Sequence, residues 1–155
     1  MKKVIMCFGT FDGLHPGHED YFRQAKELGD ILIVIVSRDT TVLDVKGNLP
    51  ERNEQDRLAV IMDHPLVDEA RLGYPGDKYR IIEEINPDIL CLGYDQEAFT
   101  ENLDAELARR GLSATIQRLE PFFPDQYKSS LLRGMREEEP TSMEDAEYEE
   151  NGLPL

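Results

Sequence analysis

Two histidines three residues apart, His15 and His18, lie near the N-terminus in the segment FGTFDGLHPGHEDYF. The residues VIMCF before them are apolar like a buried strand, and apolar residues recur at helical spacing after them. A turn from a parallel strand into a helix attracts anions, because the first N–H groups of the helix and its dipole favour negative charge. Histidines add hydrogen-bond donors, so this segment predicts a site that stabilises charge developing on phosphorus.

Two glycines flank the histidines. Gly9 would let a phosphate approach the backbone at the end of the strand, and Gly17 would offer a free N–H group at the helix start. The segment is neither a P-loop nor a dinucleotide-binding fingerprint, because it lacks G-x-x-x-x-G-K-[ST] and G-x-G-x-x-G. No Ser-His-Asp, Cys-His nucleophile or structural zinc spacing is recognisable, so we predict no metal ligands in the protein itself.

The elements that must position this turn alternate between strand and helix patterns. Strands are predicted at 3–8, 31–37, 67–73, 88–93 and 114–119, and helices at 17–28, 53–62, 78–85, 103–111 and 127–136, with a short helix from Asp39 or Thr40. This order predicts an α/β fold, a Rossmann-like doubly wound five-stranded parallel sheet with helices on both faces. Ligands bind such sheets at the carboxyl ends of the strands, where the turn with the histidines would lie.

Charge and composition limit the classes of function. The net charge of −15 argues against nucleic-acid binding, and no apolar run is long enough to span a membrane. Residues 137–155 hold eight acidic residues and no lysine or arginine, which predicts a disordered acidic tail after a domain at 1–136. The two cysteines lie in apolar runs, which is typical of a reduced cytoplasmic protein.

The segment GTFDGLHPGH resembles the H-x-G-H signature of the cytidylyltransferase-like nucleotidyltransferase superfamily. Other segments resemble that family in the same order: LGDILIVIVSRD, VKG, NEQDRLAVIMDHPLVDEARLG, CLGYDQ and YKSSLLR. The resemblance runs from Val4 to about Arg133. It implies an enzyme that transfers a nucleoside monophosphate from ATP or CTP to a phosphorylated acceptor, releases pyrophosphate and uses Mg²⁺ as the counter-ion of the nucleotide. A homodimer is a further expectation from the resemblance.

The resemblance also implies roles for individual residues. His15, His18 and Lys46 would act on the α-phosphate, Lys46 from a flexible loop. Nucleotide and phosphate contacts would come from Gly9, Thr10, Phe11, Gly17, Gly93, Tyr94, Asp95, Ser129 and Ser130. Asp12 would lie near the acceptor or metal, and Arg57, Lys128 and Arg133 would contact phosphates or the acceptor. Lys46 as a solvated loop lysine, Ser129 as a helix cap and Arg57 paired with Glu54 or Asp56 are the structural alternatives.

The sequence constrains the identity of the acceptor less than it constrains the type of reaction. The segments LGYDQ and KSS look most like those of archaeal-type FAD synthases, which adenylylate FMN. Glycerol-3-phosphate cytidylyltransferases and sugar-phosphate adenylyltransferases are the alternatives within the superfamily. A nucleotide-binding regulatory module without catalysis is the alternative from another class, because a fold does not fix a function.

Overall fold

The structure, a computed structural model, describes residues 1–93 and 102–121. Its strands are β1 (Val4–Gly9), β2 (Ile31–Val36), β3 (Glu69–Leu72), β4 (Ile89–Leu92) and β5 (Thr115–Arg118). Its helices are α1 (Pro16–Glu27), α2 (Asp39–Lys46), α3 (Glu54–Met62), α4 (Arg80–Ile85) and α5 (Leu103–Arg109). Within those residues, no helix is both long enough and apolar enough to cross a membrane.

The five strands form one parallel sheet in the order β3-β2-β1-β4-β5. Strand order therefore reverses at β1, which has β2 on one side and β4 on the other. Gly9 lies opposite Val36, and Val36 lies opposite Leu72, so three strands end at the same edge. This edge, where the order reverses, is where such sheets bind ligands.

Both faces of the sheet are covered, which confirms the predicted fold class. On one face the strands pack against Phe22 and Ala25 of α1 and Ile61 of α3. On the other face they pack against apolar residues of α4 and α5, including Ile82 and Leu107. Parallel strands buried on both faces need the near-continuous apolar sequences that β1 and β2 have.

Two element predictions need correction or lie beyond the described residues. Lys46 was predicted in a polar connection, but α2 continues through it and ends at Gly47, whose φ of 84° is a left-handed helix end. Lys46 therefore lies in the last helical turn and is exposed. The predicted helix at 127–136 and the tail at 137–155 lie outside the described residues.

Candidate active site

The two histidines cap the helix that they begin. His15 is the N-cap residue of α1, and its Nδ1 accepts a hydrogen bond from the Gly17 N–H at 3.0 Å. The Nδ1 atom of His18 accepts one from the His15 N–H at 3.3 Å, which completes a reciprocal capping box. The two rings stack with centroids 3.9 Å apart. The helix start therefore fixes the position of both rings.

These hydrogen bonds also set the tautomer of both rings when they are neutral. Because each Nδ1 is an acceptor, the neutral rings carry their proton on Nε2. Burial lowers the pKa of His15 from 6.5 to about 4, so His15 is neutral at physiological pH. The arrangement holds two N–H donors beside each other without placing two positive charges in contact.

The turn between β1 and α1 depends on Gly9 for a different reason from the one predicted. A Cβ atom on Gly9 would lie 2.3 Å from the ring of Phe11, so the ring and not a ligand occupies this space. Phe11 is buried, has a φ of 54° and packs edge-on against the His18 ring at 5.2 Å. Gly9 is needed at this position, as predicted, but the reason is that the Phe11 ring packs there, behind the histidines.

The expectation of free N–H groups at the start of α1 is wrong. The Gly17 N–H donates to His15 Nδ1, and the N–H groups of His18 and Glu19 donate to the His15 carbonyl. Pro16 has no N–H to offer. Since the first turn satisfies itself, an anion at this site meets the histidine side chains and the helix dipole instead of backbone donors.

Arg57 was predicted to contact a phosphate or the acceptor, but it is a buried structural residue. Its side chain has no exposed surface and donates to the carbonyl oxygens of Thr10, Ser37 and Arg52 at 2.8–2.9 Å. Its ion pair is with Asp39 at 2.7 Å, and not with Glu54 or Asp56. Arg57 thus ties α3 to the carboxyl ends of β1 and β2.

Asp12 holds the chain between α2 and α3, the α2–α3 loop (residues 47–53). Its two carboxylate oxygens accept the backbone N–H groups of Glu51 and Arg52 at 2.7 and 2.8 Å. Asp12 thus has a structural task at this edge, and its predicted place near the acceptor or metal stays a prediction. No cluster of three potential metal ligands exists in residues 1–93 and 102–121.

Other predicted residues lie around the same edge. The Thr10 side chain is buried, and its hydroxyl has no hydrogen-bond partner among the described residues. Gly93 follows β4, and its carbonyl accepts from Arg118 at 2.7 Å. The remaining predicted residues lie outside the described part of the chain: Tyr94, Asp95, Lys128, Ser129, Ser130 and Arg133. Their roles stay predictions.

Sequence analysis missed Asp39 and Arg52. Asp39 was expected only near the start of a short helix, yet its carboxylate binds Arg57 and the Glu54 N–H. Its position directly after β2, at the carboxyl edge, is the signal that could have identified it. Arg52 had no such signal, because only the hydrogen bonds of its backbone bring it to this edge.

Comparison with known proteins agrees with this geometry. The cytidylyltransferase-like family model matches residues 6–135. An FAD synthase of Aciduliprofundum boonei is 39% identical over 85% of each chain, and one of Methanosarcina barkeri is 45% identical over 74% of this chain and 81% of its own. A Thermoplasma volcanium structure described as a lipopolysaccharide core biosynthesis protein has a TM-score of 0.74 and 38% identity, covering 79% of this chain and 99% of its own. The chain is a nucleotidyltransferase and belongs to the cytidylyltransferase-like family.

Proposed function

We propose that this enzyme is an FAD synthase, which transfers AMP from ATP to the phosphate of FMN and releases pyrophosphate. The observation that carries the reaction type is the stacked pair of Nε2-protonated histidines at the carboxyl end of β1. The choice of acceptor and nucleotide is supported by relatives named FAD synthase, which are 38–45% identical over about three quarters or more of this chain.

In the proposed reaction an oxygen of the FMN phosphate attacks the α-phosphorus of ATP. The bond from that phosphorus to the bridging oxygen breaks, and the electron pair leaves with pyrophosphate. The histidines need not be general bases, because the attacking phosphate oxygen already carries charge. Their Nε2–H groups would donate to the non-bridging oxygens of the α-phosphate, where charge increases in the transition state.

Further groups complete the proposed site. Thr10, whose buried hydroxyl has no partner among the described residues, would supply a further donor. Lys46, at the exposed end of α2, would reach the α-phosphate by its side chain. Ser129 and Ser130 would hold the β- and γ-phosphates, and the segment from Gly93 to Asp95 would contact the nucleoside. Mg²⁺ would neutralise the phosphate oxygens when bound with ATP.

A second candidate is transfer to a sugar phosphate. It is favoured by the name of the Thermoplasma volcanium structure, which refers to lipopolysaccharide core biosynthesis. A glycerol-3-phosphate acceptor and CTP as the donor remain alternatives within the same reaction class. The same set of residues would serve each of them, because the chemistry at the α-phosphorus is identical.

A turnover panel tests this proposal. Pyrophosphate release would be measured with ATP or CTP against FMN, glycerol 3-phosphate and a set of sugar phosphates, with the flavin product identified by chromatography. We expect ATP with FMN to give the highest kcat/KM. Turnover with a sugar phosphate but not with FMN would replace the proposal by the second candidate. Nucleotide binding without turnover of any acceptor would support a regulatory module.

Histidine variants test the assigned chemistry separately from the fold. Asparagine is among the best N-cap residues, so His15→Asn keeps an acceptor for the Gly17 N–H but loses the Nε2 donor. We expect His15→Asn and His18→Ala to lower kcat by about 10²- to 10³-fold, as for other transition-state donors. Circular dichroism should show both variants folded. Unchanged turnover in either variant would refute its role.

A further inference from the structure

Arg52 has a backbone that is fixed at the catalytic turn on both sides. Its N–H donates to Asp12 at 2.8 Å, and its carbonyl accepts from the buried Arg57 side chain at 2.9 Å. Asp12 lies three residues before His15, and Arg57 also holds the carbonyl of Thr10. The Cα atom of Arg52 is therefore held beside the turn that carries the histidines.

The side chain of Arg52, in contrast, is exposed and engages no group of the described residues by hydrogen bond, ion pair or ring contact. Every other arginine in that part of the chain donates to a carboxylate or a carbonyl or stacks on a tyrosine ring: Arg23, Arg38, Arg57, Arg71, Arg80, Arg109, Arg110 and Arg118. In a chain with 32 acidic and 17 basic residues, an exposed arginine side chain that engages no described residue is unexpected. Its guanidinium is positioned to bind an anion from solution.

The side of the sheet on which Arg52 lies indicates which anion this is. Arg57 connects Arg52 to the carbonyls of Thr10 and Ser37, which follow β1 and β2. The nucleoside is expected near Gly93, beyond β4 on the opposite side of β1. With the nucleoside on the β4 side, the β2 side of the turn, where Arg52 lies, is left for the second substrate, whose oxygen attacks opposite the leaving pyrophosphate.

We propose that Arg52 binds the phosphate of the acceptor and aligns it for attack, an inference that rests on the proposed transfer to FMN. A guanidinium can donate two parallel hydrogen bonds to a phosphate, which fixes its orientation as well as its position. Arg52 would thereby make the enzyme select a phosphorylated flavin over riboflavin. Asp12 would serve as a positioning residue, since it holds the backbone of Arg52.

Arg52→Gln tests this role, with Arg109→Gln as the matched control on the exposed surface of α5. We expect Arg52→Gln to raise the KM for FMN by about 10- to 100-fold, the range for a hydrogen bond to a charged group, and to leave the KM for ATP within about twofold. Arg52→Lys should restore part of the loss. The urea midpoint of Arg52→Gln should equal that of the wild type, because only the backbone of Arg52 makes contacts.

A binding measurement without turnover completes the test. Quenching of flavin fluorescence should show that the wild type binds FMN more tightly than riboflavin and that Arg52→Gln loses this preference. Wild-type turnover of FMN with an unchanged KM in Arg52→Gln would overturn the role of Arg52 alone. A raised KM for ATP instead would assign Arg52 to the triphosphate and also overturn it. Absence of FMN turnover in the wild type would overturn the proposed function and this inference together.

Discussion

At the scale of single residues, His15 and His18 perform two tasks with two different ring atoms. Each Nδ1 accepts a backbone N–H at the start of α1, and each Nε2 carries the proton for which we propose the phosphate contact. Histidine is not among the preferred N-cap residues, which are serine, threonine, aspartate and asparagine. The capping hydrogen bonds therefore explain how the rings keep one tautomer.

The titration of His15 follows from its burial. We expect its pKa in the folded protein at about 4, below the value of 6.5 for a solvated histidine. Because the unfolded chain takes up this proton near pH 6.5 and the folded chain only near pH 4, the free energy of unfolding should fall as the pH is lowered between these values. An NMR titration of the ring measures the pKa directly. His15→Asn should lose this part of the pH dependence, and a midpoint near 6.5 in the wild type would contradict the prediction.

At the scale of elements, the hydrogen bonds of Arg57 hold the active-site edge together. Its guanidinium joins α3 to the ends of β1 and β2, to the start of α2 at Asp39 and to the α2–α3 loop at Arg52. These segments are distant in sequence, so a single buried side chain sets their mutual positions. The catalytic turn and the proposed acceptor-binding residue depend on this one contact set.

Replacing Arg57 should therefore be among the most destabilising substitutions in the chain. Arg57→Met would leave three carbonyl oxygens and the Asp39 carboxylate without their donor, and we expect a loss of roughly 3–5 kcal/mol in the free energy of unfolding. Arg57→Lys keeps the charge but cannot reach all four acceptors, so it should lose nearly as much. Urea unfolding measures both. The exposed Arg109→Gln serves as control and should change stability by less than about 0.5 kcal/mol.

The sequence predicted the sheet and the histidine turn but not these connections. Apolar strands and helical periodicity are local patterns, so β1, β2 and the position of His15 and His18 could be inferred directly. Arg57 and Asp12 resemble ordinary charged residues in sequence, and only the folded chain shows that their partners are backbone groups of distant segments. The helical end of α2 at Lys46 was missed because a polar sequence before glycine resembles a loop.

At the scale of the whole molecule, the amino and carboxyl edges of the sheet carry different kinds of side chain. At the amino edge, the carboxylates of Asp30, Asp68 and Asp88 each accept a backbone N–H at or just before the start of a strand at 2.8 Å, from Lys3, Leu32 and Val4 respectively. These bonds satisfy the first backbone groups of the strands and fix the register there. The carboxyl edge instead carries the histidine pair at the start of α1 and the buried Thr10 hydroxyl. The residues proposed for the chemistry thus lie at the carboxyl end of the sheet, where the hydrogen bonds of Arg57 also hold the structure together.

The two cysteines offer a test of the whole sheet, because they lie opposite each other in its two central strands. Cys7 of β1 and Cys91 of β4 are fully buried, and burial raises the pKa of Cys91 to about 12 and that of Cys7 well above its ordinary value. Since only the thiolate attacks a disulfide reagent, we expect neither cysteine to react with such a reagent at pH 8 in the native protein. In rising urea both should become reactive together, at the midpoint seen by circular dichroism, because exposing either one requires the separation of β1 from β4 or the loss of the helices covering them.

S113C, at an exposed position before β5, should add one thiol that reacts at once without urea. Reaction of Cys7 or Cys91 in the native state at the rate of that exposed thiol would show that the centre of the sheet opens without global unfolding.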